Sequence, residues 1–102
     1  MVVRMRIYKA EDRDHAGSDA VFYKLVKPVH ERHGAQFLGR YRDEGGRVIV
    51  LWGYDSKEAL DQIQAEVARD PETILNRQER MTSGLHGCAY EEFILHSTEP
   101  ER

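Results

Sequence analysis

Arg47-Val48-Ile49-Val50-Leu51-Trp52-Gly53-Tyr54 is apolar in both of the directions a strand presents its side chains. Because those side chains alternate, Val48, Val50, Trp52 and Tyr54 fall on one side and Ile49, Leu51 and Gly53 on the other. A strand with one wet face carries polar residues at every second position, and this one has neither side built for water. Something has to cover its sheet from both directions, and that requirement decides the fold.

Immediately upstream, Asp43-Glu44-Gly45-Gly46 supplies the glycines that the positive φ angles of a short hairpin loop require, and Ala35 to Arg42 reads as the antiparallel partner strand. Before it, Phe22, Leu25, Val26, Val29 and His33 recur at helical spacing, with Gly34 where a left-handed C-terminal residue is wanted. This predicts a helix from about Asp19 to His33, capped by Ser18 or Asp19. Pro28 falls inside it and has no N–H for Lys24, so the helix is expected to bend there. Further upstream, Val3, Met5 and Ile7 alternate with Arg4, Arg6 and Tyr8, which predicts a first strand over Val2 to Lys9.

Downstream, Asp55-Ser56-Lys57-Glu58 has the form of a capping box with Asp55 in the cap position, and Leu60, Ile63 and Val67 continue one apolar stripe to about Arg69. Asp70-Pro71 offers a fresh cap and a first-turn proline for a short third helix ending before Gly84. Cys88 to Leu95, with Tyr90, Phe93, Ile94 and Leu95, reads as the last strand. The order is β-α-β-β-α-(α)-β, an α+β chain of the ferredoxin-like βαββαβ type with an antiparallel sheet. Both βα units place their helices on one side of the sheet, leaving the other bare unless another surface meets it. A second copy of the chain is the expected cover, the two pairing sheet to sheet.

At 102 residues the chain has the size of a single domain, 1–102, and self-association adds burial that so small a core lacks. Fifteen Lys and Arg against 18 Asp and Glu give a net charge of −3, with the basic residues scattered, so no nucleic acid partner is expected. The single cysteine, Cys88, has no internal disulfide partner, and no secretory signal pattern is present, so a cytoplasmic location is expected. The longest apolar run, Val48 to Trp52, is far short of the roughly 20 residues that cross a bilayer, so no membrane partner is expected.

Arg6-Ile7-Tyr8, the run Pro28-Val29-His30-Glu31-Arg32-His33-Gly34, Gly39 and Trp52-Gly53-Tyr54-Asp55-Ser56 resemble the NIPSNAP family over nearly the whole chain. The resemblance implies the dimeric α/β-barrel superfamily, whose ferredoxin-like subunits pack sheet against sheet with helices outside. It brings no biochemical activity with it. Relatives in the wider superfamily include cofactor-free oxygenases, haem-degrading enzymes and decomposers of small oxyanions, which use a pocket between sheet and helices; this is analogy from fold. Haem-degrading relatives share an asparagine, tryptophan and histidine set, and here the sole asparagine is Asn76 in the third helical segment, which counts against haem chemistry.

Several constellations carry potential chemistry. His30 and His33, three apart on the first helix, can offer imidazole nitrogens to one side. Two histidines leave a zinc site short and Glu31 faces elsewhere, so no metal is expected. Arg4, Arg6 and Tyr8 share one strand face, as do Arg40 and Arg42, so guanidinium groups can converge on an anionic ligand. The competing reading, which we favour, is an ion-pair network with Glu91 or Glu92 across the dimer contact. Phe22, Phe37, Tyr41, Trp52 and Tyr54 suit an aromatic pocket, although aromatics on strands more often pack the core. Cys88 lacks a histidine or Cys-x-x-Cys neighbour and reads as an inert thiol. Gly45-Gly46 is a turn, with no phosphate-loop continuation.

The leading expectation is therefore an uncharacterised NIPSNAP-like homodimer that binds a small molecule between sheet and helices through Arg6, Tyr8, His30, His33, Arg40, Trp52 and Tyr54, with no cofactor. The first alternative is a cofactor-independent monooxygenase acting on an aromatic or polyketide-like substrate, with His30, or His86 from Gly84-Leu85-His86-Gly87, as general base. The second is a structural or protein-interaction dimer without a pocket.

Overall fold

A computed structural model describes residues 1–9, 15–78 and 89–100 of the chain. Its elements run β1 (Val2–Tyr8), α1 (His15–Val21), a π-helical turn (Phe22–Val26), α2 (Lys27–Arg32), β2 (Gln36–Arg42), β3 (Val48–Tyr54), α3 (Lys57–Arg69), α4 (Pro71–Leu75) and β4 (Tyr90–His96). The four strands form one sheet in the order β2-β3-β1-β4. Every neighbouring pair is antiparallel. This is the expected ferredoxin-like arrangement.

The pairing register sorts side chains onto two faces. Val2, Arg4, Arg6 and Tyr8 of β1 lie opposite Tyr54, Trp52, Val50 and Val48 of β3, and on that face the chain builds its core with Phe22, Ala35 and Leu60. The opposite face carries Val3, Met5, Ile7, Ile49 and Leu51, only partly buried, together with Tyr41, Phe93 and Leu95, which are exposed. The two-sided apolar reading of β3 is thus resolved unequally: Val48, Val50, Trp52 and Tyr54 are buried beneath the helices, whereas Ile49 and Leu51 keep access to solvent.

The long first helix departs from expectation in an informative way. It begins by His15, so Ser18 and Asp19 lie inside it rather than at its cap. The bend expected at Pro28 is taken up one turn earlier by the π-helical segment, in which the Lys27 N–H reaches the Phe22 carbonyl five residues back. A widened turn is a standard way to absorb an unsatisfiable i−4 hydrogen bond, and it leaves Pro28 in the first turn of α2, where its missing N–H costs little. That helix ends as the sequence requires: Gly34 adopts φ 101°, its N–H donates to the Glu31 carbonyl and the Ala35 N–H to that of His30, the paired bonds of a Schellman motif.

Ser56, not Asp55, caps α3, its hydroxyl accepting from the Ala59 N–H at 3.0 Å. Asp70 caps α4 through the Glu72 N–H at 2.9 Å, as expected. The hairpin loop closes with Gly46 at φ 88° and the Asp43 carboxylate accepting from both the Arg47 backbone and its guanidinium. Those bonds hold the Asp43 pKa below its usual range. The last strand starts at Tyr90; His86, Cys88 and the expected helix end near Gly84 lie outside the described residues. Among the described residues no helix is long and apolar enough to cross a membrane.

Candidate functional site

The helices do not close fully onto the sheet. Between them lies an open cleft of about 660 Å³, within the range that accommodates drug-sized ligands. Its floor is the helix-facing side of the sheet: Arg4, Arg6 and Tyr8 from β1, Arg40 from β2, Val50 and Trp52 from β3, and Tyr90 from β4. One wall is Phe22, Val26 and His30, which the π-helical turn and α2 hold at successive turns. The other is Gln64, Val67 and Ala68 of α3 with Thr73, Ile74 and Arg77 beyond it.

Trp52 is the centre of the floor. It is 3% exposed, with the His30 imidazole stacked on it at 4.8 Å between ring centroids and 22° between planes. Phe37 packs edge-on at 5.1 Å. The single tryptophan is therefore both a core residue and a cleft residue, so the packing and pocket readings of this ring hold together.

The arginines are organised by neighbours that the sequence reading only partly named. Arg4 is 4% exposed; with its amide oxygen toward the guanidinium, Gln64 accepts from Nη1 at 2.7 Å, Nε at 2.9 Å and Nη2 at 3.1 Å. Burial lowers the Arg4 pKa, against the opposing pull of Tyr54 and Glu92. Arg6 donates from Nε to Glu92 at 2.7 Å and lies 4.5 Å above the centroid of the Tyr90 ring. Burial works against its charge, but bonding to Tyr8 and Glu92 outweighs it, and the pKa rises. Desolvation likewise acts on Glu92 and is overcome by Arg6 and Arg4, so that carboxyl is held below its ordinary range. Arg40 pairs with Asp19, which Arg42 also reaches at 2.8 Å; its guanidinium sits 4.9 Å from the centroid of Phe22.

Arg4 and Arg6 thus take part in an ion-pair network with the last strand. Among the described residues Glu92 makes it, because Glu92 pairs in register with Arg6, while Glu91, opposite Ile7, falls on the other face of the sheet. The Glu92 pairs with Arg4 and Arg6 form within one chain.

Of the expected ligand-binding set, Arg6, Tyr8, His30, Arg40 and Trp52 line the cleft; His33 and Tyr54 do not. His33 sits at the helix end, where its Nε2 lies 2.7 Å from Asp70 Oδ2 and its Nδ1 lies 3.3 Å from Glu66 Oε2. The π-helical turn precedes both histidines and α2 ends between them, so His30 faces the sheet while His33 faces α3. Tyr54 is buried beside Arg4 and Gln64; burial raises its pKa, with Arg4 opposing. The sequence reading missed Gln64, Thr73, Ile74, Arg77 and Tyr90 as lining residues. Gln64 was legible in principle, one position after Ile63 on a helix otherwise assigned by its apolar stripe. Among the described residues no three or more His, Cys, Asp or Glu side chains are grouped to hold a metal ion.

Fold and cleft together define a ferredoxin-like α+β protein with an arginine-rich, aromatic-floored cavity on the helix side of its sheet. Solved structures with this fold include an Agrobacterium tumefaciens NIPSNAP family protein, with 18% identity and a TM-score of 0.80 over 96% of this chain and 93% of that one. An uncharacterized NIPSNAP domain protein from Burkholderia xenovorans gives 16% identity and a TM-score of 0.77, covering 99% of this chain and all of that one. SnoaB, a cofactor-independent oxygenase from Streptomyces nogalater, is more distant, at 12% identity and a TM-score of 0.64 over 97% of this chain and 94% of its own. The fold is therefore the one that NIPSNAP proteins adopt. No family model and no curated protein sequence matches the chain.

Proposed function

We propose that this chain forms a NIPSNAP-like homodimer that binds a small organic molecule in the cleft between sheet and helices, and that it does so in the cytoplasm. The observation that carries this reading is the cleft itself: about 660 Å³ of space in which a Trp52–His30 stack meets several converging guanidinium groups. A purely structural dimer leaves such a cavity unexplained, since unfilled volume beside a small core forfeits packing energy. The lone cysteine agrees with a reducing compartment.

Trp52 is the only tryptophan in the chain, so its indole N–H resonance reports on the cleft without ambiguity. Screening a library of aromatic and aliphatic fragments by that resonance is expected to yield hits that shift it together with residues of the π-helical turn. A library that moves only surface resonances sinks the binding function.

One observation favours a second reading, cofactor-independent oxygenation of an aromatic substrate. His30 lines the cleft against Trp52, placing a base beside a stacking surface, and the fold is shared with SnoaB. Oxygen uptake with an electron-rich phenol, without flavin or metal and abolished by His30→Ala, is the expected result under this reading. Uptake equal in the variant removes His30 from the chemistry.

A further inference from the structure

The charge of the cleft runs against that of the chain. The chain carries a net charge of −3, yet among its described residues the cleft is lined by four arginines, Arg4, Arg6, Arg40 and Arg77, and by no aspartate or glutamate. Among the described residues the carboxylates that pair with them stand outside the lining. Glu92 serves both Arg4 and Arg6, and Asp19 is shared between Arg40 and Arg42, a guanidinium outside the cleft. Arg77 has no ion pair among the described residues. The lining also holds the apolar side chains of Phe22, Val26, Val50, Trp52, Val67 and Ile74.

The geometry points to a carboxylic acid with a flat aromatic body as the ligand, its carboxylate meeting the Arg77 guanidinium and its ring lying against the His30 imidazole that covers Trp52. This rests on the binding function proposed above and names the class of molecule bound. Guanidinium presents a planar fork that matches a carboxylate with two parallel hydrogen bonds. Such a bond is worth more in a cleft partly shielded from water than on open surface. The partly exposed His30 imidazole and the exposed Tyr90 ring supply stacking area for the ligand's ring. Arg77 is the specificity-determining residue: it distinguishes an acid from a neutral molecule of the same shape. Arg4 and Arg6, already engaged by Gln64 and Glu92, contribute the positive field behind it.

The test titrates the protein with 2-naphthoate and with 2-naphthamide by calorimetry at low salt, with the Trp52 indole resonance locating the site. The acid is expected to bind about tenfold or more tightly than the amide, the scale of a charge-assisted hydrogen bond, and raising salt is expected to narrow the gap. Arg77→Gln, at an exposed position with no ion pair to lose among the described residues, is expected to fold normally and to bring the acid down to the affinity of the amide. Equal affinities for acid and amide in the unaltered protein overturn the carboxylate inference while leaving the cleft a binding site. Preferred acid binding that is unchanged by Arg77→Gln overturns the assignment to Arg77. Failure of both probes to move Trp52 takes down the inference and the binding function together.

Discussion

Gly34 shows how much a single residue settles in this chain. Its φ of 101° is a conformation in which an L side chain meets the following carbonyl, and the space a Cβ would occupy is otherwise open, with the Ile63 Cδ1 at an ordinary 3.6 Å. Gly34→Ala is therefore a clean backbone substitution, expected to cost about 1–2 kcal/mol in urea unfolding with the fold retained. The Asp70 carboxyl acts through charge instead. Hydrogen bonding from Arg32, then from His33 and the Glu72 backbone, holds its pKa far below the ordinary carboxylate value. A carboxyl depressed on folding adds stability that is complete above its unfolded pKa and is lost as pH falls through and below that value. Asp70→Asn keeps an acceptor for the α4 cap but removes the charge. Its Tm is expected to be lower than that of the unaltered protein near neutral pH and to fall less steeply below about pH 4. Parallel acid limbs for the two proteins exclude Asp70 as the titrating group.

At the scale of elements, strands and caps were legible because they depend on local signals: alternation, glycines at turns, and a polar residue before an apolar stripe. All four strands lie where the alternation put them, within a residue or two. Apart from the one-residue shift of the α3 cap to Ser56, the misreadings occurred where tertiary partners override local preference. Ser18 and Asp19 have the chemistry of helix caps, but Asp19 is taken by Arg40 and Arg42 and the helix starts upstream of both. The proline announced a disturbance without announcing its form. A π-helical turn holds one more residue than an α-helical turn, and its consequence is phase: His30 rests on Trp52 while His33 meets Asp70. Deleting exposed Lys24 from this turn is expected to restore an α-helical path and leave α2 in phase, with a modest fall in Tm and the Trp52 emission maximum preserved. Inserting an alanine after Lys24 adds about 100° of rotation, pulling His30 from Trp52 and His33 from Asp70 together, and is expected to be far more damaging. Equal tolerance of the two changes contradicts this account of the turn.

For the whole molecule, the sequence disclosed the architecture and part of the cleft. Arg6, Tyr8, Arg40 and Trp52 were visible because strand alternation fixes their face. Thr73, Ile74 and Arg77 were not, because which way a short helix leans depends on contacts with no periodic signature. The bare face of the sheet belongs to this scale too. Four strands of seven residues span roughly 19 Å by 23 Å, and the side chains they present there include Met5, Ile7, Ile49, Leu51, Phe93 and Leu95. An apolar surface of that extent is on the order of the largest patches that monomers expose, which are often functional, and has the character of an interface. Under the proposed homodimer the protein sediments at twice its chain mass of 11.8 kDa. Leu51→Lys, at the centre of that face and away from the cleft, is expected to shift it to the monomer while the Trp52 spectrum stays unchanged. The lysine would place a charge against its own copy across a two-fold contact, so dissociation should be strongest at low salt. A protein that sediments as a monomer before any substitution rules the second copy out as the cover of this face.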